Sequence, residues 1–328
     1  MGFWRRLVRL EDRMEPVRVA MVGDRTDERK RLESAYLENP RIRVIFSGSA
    51  EGLEKLARTG SAELIEIFAP PESRARLAEI CLEARVNVST GMPPAMEVEQ
   101  VAALKSKAEP RSLVFRVRNE CLYYEPYQKA REIIAEGKLG WHTMLRLVVK
   151  RQQVPAPGYD RGQWFLENES GYLALAEYLF GGVAKVFMLG GRSRTNPGSI
   201  LVGFQFRDPH RFGYLLVDFA PELQIRSFNE PVFRQVWATG TAGVLMVNRG
   251  EGQLWRAPVL WLRAKDYSRT WEMLKDDWNA VYGSMVEESL AALRQGRPVI
   301  SGLDLALSGV RYALNAGRSF AQGKEIAV

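Results

Sequence analysis

The chain holds few side chains suited to moving protons near neutral pH. Only two histidines occur, His142 and His210, far apart in sequence. Histidine is the usual acid/base residue in this range, so a mechanism that needs a histidine base has two candidates at most. His142 opens a strand-like run and His210 lies in a turn-like RDPHRF, so both read as surface residues. The two cysteines, Cys81 and Cys121, sit in apolar stretches and read as buried reduced thiols. With no Cys/His cluster, no metal is expected. One glycine-led turn follows a β-branched run: Gly23-Asp24-Arg25-Thr26-Asp27-Glu28. A dinucleotide loop uses glycines to let a pyrophosphate approach the backbone at a helix start. Here Arg25 and Glu28 stand where the second and third glycines would be. Asp24, Asp27 and Glu28 would bring negative charge towards anionic phosphates. Aromatic residues are plentiful: Tyr123, Tyr124, Trp164, Tyr172 and Tyr178 could wall a pocket, the plainer alternative being core packing. Arg192, Arg194 and Asn196 could hold an anion at a strand end. Gly181-Gly182 and Gly190-Gly191 suit turns.

The elements that must position these residues belong to a chain of 328 residues, enough for two domains. With 46% hydrophobic and 26% charged residues, disorder and fibrous repeats are excluded. The net charge of +7 is dispersed, without a basic helix or an aromatic-basic motif, so no nucleic-acid partner is expected. Residues 3–14 have Phe3, Leu7, Leu10 and Met14 at helical spacing and suit an amphipathic helix, not a signal peptide. No segment is apolar enough for a membrane span, and a cytoplasmic location is expected.

Residues 18–118 alternate strand and helix: VRVAMVG, IRVIF, ELIEIFAPP, NVST and SLVFRVR, separated by helical patterns. That order predicts βαβ units and a parallel sheet. After about residue 120 the strands are long and alternating, with few helices between them, which predicts an antiparallel sheet. Two helices, from SRTWEMLKDDW and from LDLALSGV, close the chain. The expected fold is α/β plus α+β: a Rossmann-like doubly wound domain over 1–120, and an α+β domain with an open, mostly antiparallel sheet over 121–328. The final helix is expected to pack back on the first domain.

Five phrases in order resemble the glucose–fructose oxidoreductase/inositol dehydrogenase (Gfo/Idh/MocA) family. Ile67-Phe68-Ala69-Pro70-Pro71 resembles its strand end beside the nicotinamide. Glu125-Pro126-Tyr127 resembles the helix entering its second domain. Trp164 to Gly171 looks like the loop before its catalytic helix, and Gly240-Thr241-Ala242-Gly243 like its GTxG hairpin. The closing segment through Arg318-Ser319 is also similar. The resemblance implies NAD(P)-dependent chemistry on sugars or polyols, with a Lys, an Asp and a His as the acid/base set. At those positions this chain has Met92, Leu175 and Leu179, with Gly91 in place of a Glu and Pro93 matching the family proline. Two alignments of the N-terminus stay open. In one, Gly23 begins a degenerate phosphate loop. In the other, VRVAMVG is the family's second strand, Asp24 is the ribose-binding position, and the first strand is missing.

These substitutions lead to the expectation of a non-redox pseudo-enzyme with no cofactor, acting as a binding or partner subunit, for instance of an active paralogue. The alternative is an NAD(P)-dependent sugar or polyol dehydrogenase with displaced catalytic residues. Family-equivalent cofactor positions are Asp24, Pro70 and Pro71. The expected pocket comprises Pro93, Tyr123, Trp164, Tyr172, Glu177 and Tyr178. A homodimer or higher oligomer is expected through the C-terminal sheet, because in FGYLLVDFA both Phe212/Tyr214/Leu216 and Leu215/Val217/Phe219 are apolar.

Overall fold

The computed structural model describes residues 15–156, 158–191, 198–221, 232–249, 258–275 and 277–328. The expected helix over 3–14, and Arg192, Arg194 and Asn196, lie outside the described residues. Strands β1 (Val17–Gly23), β2 (Ile42–Gly48), β3 (Leu64–Phe68), β4 (Asn87–Gly91) and β5 (Phe115–Arg118) alternate with helices α1 (Asp27–Leu37), α2 (Leu53–Arg58), α3 (Pro71–Glu83) and α4 (Val98–Ala108). The five strands form one parallel sheet in the order β2-β1-β3-β4-β5. Parallel strands are covered on both faces and read as continuous apolar runs; Val19, Ala20, Met21 and Val22 of β1 are all buried. In a doubly wound sheet the strand flanked on both sides where the order reverses is the first one. β1 has that place, between β2 and β3, but the same order is also what the 3-2-1-4-5-6 arrangement leaves when its first strand is absent, so the topology fits the alignment that lacks that strand as well.

The second half supplies α5 (Glu125–Ala135), β6 (His142–Arg151), α6 (Arg161–Phe180), β7 (Val183–Gly190), β8 (Ile200–Phe206), β9 (Phe212–Phe219), β10 (Val232–Gly240), β11 (Gly243–Arg249), β12 (Leu260–Ala264) and β13 (Tyr267–Trp271). Helices α7 (Trp278–Gln295) and α8 (Leu303–Gln322) and the short β14 (Ile326–Ala327) follow. The strands form one nine-stranded sheet, ordered β13-β12-β11-β10-β6-β9-β8-β7-β14. Every neighbouring pair is antiparallel except β6 and β9. The helix expected from Ser268 begins ten residues later: Ser268–Trp271 pair with β12 instead, and Asp277 caps α7 by accepting from Ala280 N at 3.0 Å. Trp164 to Gly171 is likewise no loop. It lies inside α6, which Asp160 caps by accepting from Gln163 N at 2.7 Å.

One helical crossing ties the second half together. At Gly309 of α8 an added Cβ would lie 2.6 Å from the Ser170 carbonyl oxygen and 3.1 Å from Ala174 Cβ of α6. At Gly317 it would lie 3.3 Å from Gly162 Cα. Two glycines therefore let α6 and α8 run in close contact. Among the described residues no helix is long and apolar enough to cross a membrane.

The N-terminal sheet carries charge inside it. Glu66 of β3 is fully buried, between Arg116 and Arg118 of β5, which are 1% and 2% exposed. Arg116 Nη2 pairs with Glu66 Oε1, and Arg118 Nη1 lies 2.7 Å from Glu66 Oε2. Tyr36 of α1 donates to Glu66 at 2.5 Å. Arg116 also donates to Ser89 Oγ of β4 (3.1 Å) and Ser289 Oγ of α7 (2.6 Å). Burial alone would push the Glu66 carboxyl up, but Arg116 and Arg118 overcome it and hold the carboxyl below its usual range. Glu66→Gln leaves two buried guanidiniums facing a neutral amide. A loss of about 3–5 kcal/mol in urea unfolding free energy is expected. Because the carboxyl is depressed in the folded state, its contribution is present above the unfolded carboxylate pKa and is lost as pH falls through the lower folded value. The acid-side loss of thermal stability should therefore be smaller in Glu66→Gln than in wild type.

Candidate functional site

Ligands in open α/β sheets bind at the carboxyl ends of the strands, beside the point where strand order reverses. Here that point lies between β1 and β3. Gly23 ends β1 with φ +111°, and an added Cβ would stand 1.8 Å from the Phe68 carbonyl oxygen of β3, so the close approach of the two strand ends requires glycine. The Asp24 amide donates to the same carbonyl at 2.7 Å. Thr26 caps α1, its hydroxyl accepting from Arg29 N at 3.2 Å.

The acidic turn is compensated. Asp27 is exposed and pairs with Lys30 at 2.9 Å. Glu28 accepts from Arg118 Nε at 2.6 Å, and the Arg118 guanidinium lies 4.1 Å from the Phe68 ring centre. Next to them Arg74 of α3 donates to the Ala69 and Pro93 carbonyls, both at 2.8 Å. Its guanidinium lies against Gly91, where an added Cβ would meet it at 3.0 Å. A side chain at position 91 would displace it, which is the local reason for glycine there.

Glu28, Arg74, Gly91, Met92 and Arg118 form one wall of a cleft of about 210 Å³ between the two sheets. The other wall comes from Arg151 of β6, Arg234 of β10, and Ser170, Gly171 and Tyr172 of α6. Arg151 pairs with buried Glu169 at 2.7 Å. Arg234 Nε donates to the Tyr172 hydroxyl at 2.5 Å. Burial pushes the Tyr172 phenol well above its usual range, against the pull of Arg234. The structure thus gathers a turn glycine, a helix start and two guanidiniums, Arg74 and Arg118, at a switch-point crevice. With Arg118 already paired to Glu28 and Glu66, Arg74 is the guanidinium here that fits a dinucleotide phosphate, in place of a glycine-rich loop.

The residues singled out in the sequence are scattered. Tyr172 lines the cleft. Pro93 adjoins it through its carbonyl and the Met92–Pro93 cis bond. Met92 lines it and also reaches Gly309 of α8, where an added Cβ would sit 2.8 Å from the methionine Cε. Tyr123 turns away and donates to Glu288 Oε2 of α7 at 2.6 Å. Trp164 packs edge-on against Tyr159 and Phe219. Glu177 accepts from the Tyr312 hydroxyl, which in turn accepts from Val183 N at 3.0 Å; this chain holds α6 to α8 and β7. Tyr178 faces Arg131 at 5.9 Å. Leu175 and Leu179 are fully buried. Pro70 and Pro71 start α3. His210 sits in the β8–β9 turn. Cys81 is buried, which pushes its thiol up to about 12. Among the described residues no cluster of His, Cys, Asp or Glu could hold a metal ion. The four arginines of the cleft carried no sequence signal, because they come from four separate elements.

No protein-family model and no curated protein sequence matches the chain. Solved structures do match it. A protein of Desulfitobacterium hafniense assigned as an NADPH-dependent oxidoreductase is 15% identical, with a TM-score of 0.80 over 96% of this chain and 98% of that one. GenD2 from gentamicin A biosynthesis, in complex with NAD, is 16% identical, with a TM-score of 0.77 over 96% and 97%. An Agrobacterium radiobacter oxidoreductase in complex with NAD+, L-tartaric acid and magnesium is 13% identical, with a TM-score of 0.75 over 95% and 98%. The chain has the two-domain fold of these oxidoreductases. This corrects the expectation that no cofactor is to be looked for: the sheet is of the dinucleotide-binding type, and two proteins with the same fold carry NAD. The acids that argued against it, Asp27 and Glu28, are neutralised by Lys30 and Arg118.

Restoring the missing family residues should not help. Leu175→Asp and Leu179→His place polar groups at fully buried positions. Each is expected to cost roughly 2 kcal/mol or more in chemical denaturation, with no gain in turnover.

Proposed function

We propose that the protein is an NAD(P)-dependent oxidoreductase of small polyhydroxylated compounds, with acid/base residues displaced from the family positions. The observation that carries this reading is the cleft: it opens at the switch point of the parallel sheet, with Arg74 facing it and no carboxylate bonded to that guanidinium among the described residues. Gly23, the start of α1, Pro70, Pro71, Arg74 and Arg118 would hold the dinucleotide. When bound, its nicotinamide supplies or accepts the hydride. Tyr172 is the proton donor of this reading. Arg234 donates to the phenol oxygen, which leaves the phenol's own proton to face a substrate oxygen, and burial keeps that proton in place. The division near residue 120 then separates a cofactor half from a substrate half.

NADH or NADPH should bind saturably, read from nicotinamide fluorescence. Arg74→Gln should weaken binding about tenfold or more, the scale of one charge-assisted hydrogen bond. No saturation up to about 1 mM, where binding is worth only about 4 kcal/mol, would overturn the reading. A second reading, a dinucleotide-binding partner subunit without turnover, is favoured by the buried leucines at 175 and 179. Nicotinamide absorbance over a panel of sugars and polyols separates the two.

The protein is further proposed to self-associate through the outer face of the nine-stranded sheet. Leu189, Leu201 and Leu216 stand in one cross-strand row there, exposed or half-buried. An isologous contact would cover them. Light scattering should give twice the 37.1 kDa chain mass; a monomer at micromolar concentration would refute the contact.

A further inference from the structure

We infer that Glu28 is a built-in competitor for the phosphates of the ligand: its carboxylate holds the Arg118 Nε–H that a diphosphate bridging Arg118 and Arg74 would take, so the ligand binds by displacing it. The inference rests on the oxidoreductase reading for the nucleotide part of that ligand, while the competition stands on the ion pair itself. Arg118 Nε donates to Glu28 Oε1 at 2.6 Å, and both residues line the cleft. The two partners are held very differently. The Arg118 side chain is 1% exposed and that of Glu28 28%. Arg118 is anchored without Glu28: Nη1 bonds Glu66 Oε2 at 2.7 Å, Nη2 donates to the Ile67 carbonyl at 2.7 Å, and the guanidinium lies over the Phe68 ring. The Glu28 carboxylate has no second hydrogen-bond or ion-pair partner among the described residues. A glutamate on a helix surface reaches water by turning about its own side-chain torsions. When Glu28 does so, the guanidinium stays in place and one N–H is freed on the cleft wall.

The place Glu28 holds suits an anion because a second guanidinium acts on it. Arg74 stands on the same wall. Burial pushes the Arg74 guanidinium down to about 10, and Glu28 is the leading charge that opposes this, ahead of Glu120 and Glu72. Arg74 Nε and Nη1 are taken by the Ala69 and Pro93 carbonyls, which leaves Nη2. A glutamate bonded to one guanidinium and attracted by another thus imitates one phosphate group. Asp27, the neighbouring acid, does not, because it is exposed and paired with Lys30. A single carboxylate would gain nothing by replacing another, since it offers the same charge and the same two oxygens. A diphosphate brings more charge and enough oxygens for both Arg118 Nε and Arg74 Nη2. Were Glu28 to stay, it would repel that ligand at close range.

The test is calorimetric titration of the full chain and its variants with inorganic pyrophosphate and, separately, with NADH. Glu28→Gln should tighten both about tenfold, the scale of one charge-assisted hydrogen bond. Glu28→Ala should act in the same direction and serves if the glutamine keeps a bond to Arg118. Glu167→Gln removes the same charge from the opposite wall, where the carboxylate accepts from Gln163 Nε2 at 2.8 Å. It should leave both affinities within about twofold, as independent sites do. A pair that served only to position Arg118 predicts the reverse sign, weaker binding once Glu28 is removed. Pyrophosphate affinity that is unchanged or weakened in both Glu28 variants, an equal gain in Glu167→Gln, or no pyrophosphate binding to any of the proteins would each overturn the inference. Pyrophosphate that tightens in the Glu28 variants while NADH binds none of the proteins would sink the oxidoreductase reading and leave the competitor standing. NADH that binds wild type and both Glu28 variants alike would sink the competitor and leave that reading standing.

Discussion

The N-terminal half is organised around a carboxylate that has no access to water. Glu66 lies inside a parallel sheet, where an unpaired charge would be prohibitive. Its two arginines come from the far strand β5, reach across β4, and take in Tyr36, Ser89 and Ser289 on the way. Such a network contributes little net stability compared with a well-packed apolar core. What it provides is geometry, because a slipped strand or a shifted helix would strand a charge. The network also leads outward: Arg118 bonds Glu66 with one nitrogen and Glu28 with another. The position of the cleft wall is therefore coupled to the interior of the sheet.

That coupling gives the acidic turn its meaning. In isolation Asp24, Asp27 and Glu28 repel phosphate. In the folded chain Glu28 occupies the Arg118 guanidinium, and Arg74 is held against Gly91 by two carbonyls. The long side chain of Arg74 is the positive group that this side of the cleft presents without a bonded carboxylate among the described residues.

Much of the fold was legible in the sequence. Period-two and period-3.6 patterns place the five parallel strands, the hairpin at Gly240–Gly243 and the last helix within a few residues. Two segments misled for the same reason: they have weak intrinsic preference. WFLENESG mixes polar residues with a glycine, yet Asp160 caps it and α8 packs along it as a helix. SRTWEML has helical spacing, yet its first four residues complete a hairpin with β12. The site was less legible. Met92, Leu175 and Leu179 depart from the resemblance read in the sequence, but nothing local marks the residues that line the cleft. Arg118 and Glu28 are 90 positions apart, and Arg234 and Tyr172 are 62 apart. Contacts of that range leave no spacing to read. Tyr123, Glu177 and Tyr178 suit a pocket by residue type alone, and packing directs them elsewhere.

The crossing of α6 and α8 bears on this cleft in a further way. Where side chains interdigitate, helices can shift by repacking them. Where backbone meets backbone at Gly162 and Gly317, there is nothing to repack. The two walls are held as a gauge, at a spacing set by hydrogen atoms rather than by rotamers. A single methyl group added at position 309 would press on Ser170 and Met92 together and reset that gauge. The shape of the cleft can thus be reset from behind, at a residue that does not line it.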